Sequence, residues 1–199
     1  MADTNQKKSG EDNSLRDYQI VLDLVKREYA SVVWTHKTHE KQAELYTIKY
    51  SWLEMANVIS AAVTACGIGS TLLTDSYWAK VMATFCSFVS LAITAYYKSF
   101  DIKGQSSISK AAANQFIIVR HELLKIIADL YRHERPLKSI EEEYRVVEQS
   151  LYELYRGAPS TSKKAVNWAS NDLKNNSTYA MGDDEIDGLL PKSMRGSIA

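Results

Sequence analysis

Two stretches decide the fold: Met55-Ala-Asn-Val-Ile-Ser-Ala-Ala-Val-Thr-Ala-Cys-Gly-Ile-Gly-Ser-Thr-Leu-Leu-Thr74 and Val81-Met-Ala-Thr-Phe-Cys-Ser-Phe-Val-Ser-Leu-Ala-Ile-Thr-Ala-Tyr-Tyr97. Neither contains a charge, and over 55–97 only Asp75 and Lys80 are charged. At a rise of ~1.5 Å per residue, twenty helical residues reach ~30 Å, the thickness of one hydrocarbon core. The second stretch is shorter, but Trp78 and Ala79 can extend it at the loop end. Only residues 75–80 join the two, so the expected structure is an antiparallel transmembrane hairpin.

The flanks fit that reading. Tyr50 and Trp52 precede the first span, Tyr77 and Trp78 stand at the turn, and Tyr96 and Tyr97 close the second. Amphipathic rings of this kind settle at headgroup level, which makes these six the expected interface anchors. Lys37, Lys41, Lys49, Lys98, Lys103 and Lys110 lie near the outer ends, whereas the turn has Lys80 alone. The positive-inside rule then puts both termini in the cytoplasm of a multi-pass inner-membrane protein, with the lipid bilayer as its first partner. No charged n-region with a short apolar run opens the chain, so a cleaved signal is not expected. The alternative is a pair of core helices in a soluble bundle, since both stretches are rich in Ala, Ser, Thr and Gly.

Averages conceal this organisation. The chain has 199 residues, 24 Lys+Arg and 24 Asp+Glu, and a mean hydropathy of −0.28. Zero net charge argues against a dedicated nucleic-acid binder, and two cysteines argue against a disulfide scaffold.

Outside the hairpin the pattern is helical throughout, giving an all-α class. Residues 1–13 are polar and expected to be disordered, with Ser14 as an N-cap. Over 14–54, Leu15, Tyr18, Leu22, Val25, Tyr29 and Val32 form one apolar seam, and the helix is expected to run on into the membrane. In 98–156 a break is expected near Gly104 and Ser106-Ser107. A seam of Ile108, Ala112, Phe116, Val119, Leu123, Ile126 and Leu130 follows. Pro136 ends that helix, and Ser139 is a candidate cap for the next, whose seam is Ile140, Tyr144, Val147, Leu151 and Leu154. Such seams suit an intramolecular bundle or a short coiled coil between copies. The region 157–199 reads as a mostly flexible tail. Within it lie a short helix over 163–174, capped by Ser160 or Ser162, and a possible docking segment bearing Ile186, Leu189 and Leu190.

No catalytic constellation is present, so an enzyme is not expected, nor a cofactor or metal. Gly67-Ile-Gly69 lacks the Lys-Ser/Thr of a phosphate loop. His36 and His39 beside Glu40 are too few ligands for a good metal site, and Cys66 and Cys86 read as small apolar residues.

The uncharged spans say more. Ala61, Ala65 and Gly69 recur every fourth residue, a small-residue track for helix packing. Asn57, Thr64 and Thr71 share one face of the first span, and Ser87, Ser90 and Thr94 form a stripe on the second. These polar groups either bond across the hairpin or line an aqueous path. One hairpin cannot enclose a path, so the latter requires a homo-oligomer.

The N-terminal helix, the hairpin with its small turn and the long helices after it resemble the SLATT family, the SMODS and SLOG-associating two-transmembrane effector domains of bacterial conflict systems. Trp34-Thr-His-Lys-Thr-His-Glu-Lys41, with Ala43 and Tyr46, looks like one of its subfamilies, and the resemblance covers roughly residues 15–156. It implies an antiviral membrane effector that forms a pore or disrupts the membrane, killing or arresting the cell. It further implies, encoded nearby, a nucleotide-synthesising enzyme, a nucleotide sensor or a reverse transcriptase; direct nucleic-acid binding is not expected. The other readings are a membrane-anchored scaffold that recruits a soluble enzyme, and a channel like the two-span calcium uniporters, whose paired turn acids are here reduced to Asp75.

Overall fold

In the computed structural model the backbone is described for residues 2–73, 77–176, 186–188, 190 and 195, and side chains for 15–69, 77–173, 186–188, 190 and 195. Among them only helices occur: α1 (Ala2–Leu73), α2 (Tyr77–Phe100), α3 (Ile102–Arg132), α4 (Leu137–Gly157) and α5 (Lys163–Asn176). The all-α expectation holds. The chain divides into unit 1 (Met1–Lys41 and Ser109–Ala199) and unit 2 (Gln42–Ile108).

Unit 1 is a bundle whose core is built by the three predicted seams. Leu22, Val25 and Val32 of α1, Phe116, Leu123, Ile126 and Leu130 of α3, and Ile140 and Leu151 of α4 are all buried in one apolar cluster. The seams therefore pack on one another within the chain. Their outer ends deviate. Leu15 and Ile108 are exposed, and Ser109 takes the buried place expected of its neighbour.

The helix boundaries show where local chemistry overrides the pattern. α1 begins at Ala2, ahead of the Ser14 cap, in a segment that contains no proline. The break after α2 falls at Asp101, not at Gly104. Asp101 adopts φ 40°, and its carboxylate accepts from the Gly104 N–H at 3.1 Å, an N-cap that starts α3. A β-carbon on Gly104 would lie 2.0 Å from that carboxylate, so a larger residue there would make the Asp101 side chain swing aside and give up the cap.

α3 ends at Arg132, followed by His133 at φ 52°. Pro136, rather than Ser139, occupies the cap position of α4, and its carbonyl accepts from the Ser139 N–H at 3.0 Å. Ser139 instead lies inside the first turn, where its hydroxyl accepts from Arg135 at 3.2 Å. Arg135 also reaches Asp129 and Glu143, each at 2.7 Å, and so ties the end of α3 to α4. The Tyr18 hydroxyl donates to the Arg135 carbonyl at 2.8 Å and fixes the same turn to α1.

The region after Gly157 is not simply a tail. Ser162 caps α5, its hydroxyl accepting from Ala165 N–H at 3.2 Å, and Ala165 and Ala169 are buried. Asp172 of α5 meets Lys41 of α1 at 2.7 Å, and the same ammonium sits 4.5 Å from the Trp168 ring centre. Ile186 and Leu190 are buried in unit 1 itself; Leu189 lies outside the described residues.

Candidate functional site

Unit 2 contains the hairpin. Among the described residues two helical stretches are long and apolar enough to cross a bilayer, one within Leu15–Gly69 and one within Tyr77–Arg132. Of these windows 0% and 6% is buried, whereas the core helix of a soluble bundle would be mostly buried. Val58, Ile59, Ile68, Met82, Phe85, Phe88 and Leu91 are all more than half exposed, a surface that water does not tolerate over this length.

The two arms meet in an even register. Tyr50 packs edge-on against Tyr97 at 6.0 Å, Ser90 donates to the Asn57 side-chain carbonyl, and Thr64 lies 3.5 Å from the Ala83 carbonyl. Each step of seven along α1 is thus a step of seven back along α2. Ser87 donates to the Ala83 carbonyl at 2.9 Å and reaches the Thr64 hydroxyl at 3.5 Å; Thr64 itself donates to Ser60 O at 2.9 Å. Every one of these polar atoms therefore has a partner in a medium that supplies none.

The seam does not follow the small-residue track. The closest approach is Gly67 to Ala83, where a β-carbon on the glycine would lie 2.7 Å from the alanine Cβ. Gly69 has nothing within 4 Å of the corresponding point. Gly67 is missing from the expected packing set, although it stands three residues after Thr64 on the same face. Beside the seam runs a groove of about 500 Å³. Its walls are Ala61, Thr64, Ala65 and Ile68 on α1 and Ser87, Ser90, Leu91 and Thr94 on α2. Six of the expected polar or small residues of α1 and α2 (Ala61, Thr64, Ala65, Ser87, Ser90 and Thr94) thus share one groove, while Asn57 lies on the seam. The side chain of Thr71 lies outside the described residues, as does Asp75.

At the ends, Tyr77, Trp78 and Trp52 are exposed, and the Lys49 ammonium donates to the Tyr96 hydroxyl at 2.7 Å. A cation joined to a phenol in this way is a usual headgroup-level arrangement. Cys66 and Cys86 are free thiols.

This helical chain, with two apolar arms exposed along their length, also matches a family model. Residues 21–185 match the SMODS and SLOG-associating 2TM effector domain family 4. The chain belongs to that family. As a SLATT-family protein it is a membrane effector domain of the two-transmembrane kind, and the family name associates it with SMODS and SLOG systems. Neither a curated protein nor a solved structure matches the chain.

The two histidines considered for a metal lie in unit 1. His39 stacks on Phe116 with ring centres 5.4 Å apart, and its Nδ1 is buried with no hydrogen-bond partner. Burial pushes the pKa of both His36 and His39 below the ordinary imidazole value. No group of three His, Cys, Asp or Glu poised for a metal occurs among the described residues.

Proposed function

We propose that this SLATT-family chain is a pore-forming effector of a bacterial antiviral system, held closed until a partner acts on its cytoplasmic bundle. Both termini face the cytoplasm of the inner membrane, and the trigger comes from a nucleotide-synthesising enzyme, a nucleotide sensor or a reverse transcriptase encoded nearby. Opening kills or arrests the infected cell.

The observation that carries this reading is the groove of Thr64, Ser87, Ser90 and Thr94 within an otherwise apolar exposed surface. Two helices enclose nothing, so a path requires several copies arranged with their grooves inward. Ala61 and Ala65 border the groove and allow a neighbouring helix to approach closely, the usual basis of packing where lipid removes the hydrophobic drive. Asn57, one heptad before Thr64 on α1, extends the same polar face. The trigger must bind the open arrangement of the bundle better than the closed one, since equal affinity shifts nothing.

The test is expression in bacteria with and without the neighbouring genes, with membrane potential and growth recorded during infection. Potential should collapse only when the triggered chain is present. If it never changes under any trigger, the effector reading fails.

A second reading is favoured by the hydrogen bonds themselves. Ser90 to Asn57 and Ser87 to Ala83 O satisfy the polar stripe inside one hairpin, which suits a membrane-anchored scaffold that recruits a soluble enzyme. Changing Thr64, Ser87 and Thr94 together to Val separates the two. A scaffold retains its effect on growth, whereas a polar path loses conductance.

A further inference from the structure

The end of the chain supplies an interaction that lies just outside the family match, which stops at residue 185. Residues 186–188 form one helical turn, and Leu190 N–H closes it on the Asp187 carbonyl at 3.1 Å. Ile186 is 5% exposed and Leu190 2%, and Leu190 joins the apolar cluster shared by α1, α3 and α4. Between them Asp187 accepts from the Lys26 ammonium at 2.8 Å, with Lys26 itself 6% exposed. Arg195 folds back over the segment, donating to Leu190 O at 3.1 Å and to Gly188 O at 3.3 Å.

The seat lies on the matched domain, while the group that fills it comes from beyond that domain. Lys26 stands in the N-terminal half of α1 beside Tyr131, whose ring centre is 5.5 Å from the ammonium. Burial works against that charge, but Asp187 and Tyr131 outweigh it and raise its pKa. The seat is therefore tuned to a carboxylate flanked by aliphatic side chains. Removing the segment would strip a buried ammonium of this carboxylate, so apolar surface alone would make a poor replacement.

We propose that the short segment carrying Ile186, Asp187 and Leu190 is a displaceable latch, and that its seat around Lys26 on unit 1 is the docking site for an activating protein. That protein would present an aspartate or glutamate with one aliphatic residue just before it and another three positions after. Here the chain's own Ile186, Asp187 and Leu190 occupy the site, so the partner and the latch compete. A ligand that brings a carboxylate restores the pairing that Lys26 loses when Asp187 leaves, which is what makes the site selective. Docking is independent of whether the effector forms a pore, and the test reads docking alone.

The experiment uses the full chain in detergent micelles and a fluorescent synthetic peptide of residues 183–195 as probe, followed by anisotropy. Asp187→Lys in the chain weakens the latch, and that variant should bind the peptide at least about ten-fold more tightly than the unaltered chain does. A peptide with Asn in place of Asp187 should bind it at least about ten-fold more weakly than the unaltered peptide. Hydrogen exchange over residues 19–30 should quicken in Asp187→Lys and return to normal in the Lys26→Asp, Asp187→Lys double variant. Absence of peptide uptake by the folded Asp187→Lys chain overturns the proposal. So does global unfolding of that chain, which would make the segment an integral part of the core instead of a latch. Equal binding of the Asn-bearing peptide overturns the carboxylate requirement and with it the stated partner chemistry.

Discussion

Gly67 and Ala83 meet across the hairpin with no space for a side chain on the glycine: a β-carbon there would lie 2.7 Å from the Ala83 Cβ and 3.4 Å from the Ala79 carbonyl. Both neighbours are rigid parts of a helix, so the arms must separate to admit one. Gly69, two residues on, has open space at the same point. Gly67→Val should therefore destabilise the hairpin by about 1–3 kcal/mol, the range for overpacking. Gly69→Val should change it little. Thermal unfolding in micelles compares the pair, and equal effects would mean that the arms do not pack in this register.

His39 predicts a pH dependence in unit 1. Its Nδ1 is buried without a partner and burial lowers its pKa from 6.5, so the folded state resists protonation while the unfolded chain does not. With the folded pKa below the unfolded one, the unfolded state binds more protons, and stability falls as pH drops from about 6.5 through the folded value. His39→Phe keeps the stack on Phe116 and removes the orphaned nitrogen. It should add about 1 kcal/mol at neutral pH. Its advantage over the unaltered protein should widen in the acid range, with His36 contributing the slope that remains. A constant difference between pH 5 and 7.5 would exclude the mechanism.

Much of this was legible in residues and spacing, and the exceptions have causes. The seams of Leu22, Phe116 and Ile140 could be read because a bundle core needs only period and hydrophobicity, which one helix displays by itself. Thr64, Ser87, Ser90 and Thr94 are legible as stripes for a related reason, since helical period alone places them on one face of each span. Their neighbour Gly67 was not, because close approach is a property of two helices in one register, and Ala83 lies far away in sequence. The helix start at Asp101 depends on a left-handed backbone angle and one carboxylate, features that Gly104 and two serines outweigh in a pattern search. Ile186 and Leu190 looked like a segment meant for another protein. Only the fold shows Lys26 of the same chain opposite Asp187.

Glu28 carries an opposite pH signature. Burial, and then the nearby Glu148 carboxylate, raise its pKa above 4.5, and the same surroundings push Tyr144 up to about 12. Here the folded state binds the extra proton, so stability declines as pH rises from about 4.5 through the folded value, and the full cost is present above it. Glu28→Gln should raise the melting temperature at neutral pH and lose that advantage below about pH 4.5. An advantage that persists unchanged in acid would assign the gain to helix propensity instead of charge.

The bond from Ser90 to Asn57 gives the most direct measure of what holds the arms together. In lipid each partner would otherwise face hydrocarbon, yet an unfolded hairpin still in the membrane can find other partners, so the net coupling is modest. A double-mutant cycle with Asn57→Ala and Ser90→Ala should return a coupling of about 0.6 kcal/mol and no more than about 1.7 kcal/mol. Ser60→Ala with Ser90→Ala is the control, because it removes a nearby hydroxyl of α1 that takes no part in the Ser90–Asn57 bond. Steric trapping or reversible unfolding in bicelles supplies the free energies. A coupling of zero for the first pair, with the fold retained, would mean that Asn57 turns away from Ser90, freeing both groups to face a neighbouring copy.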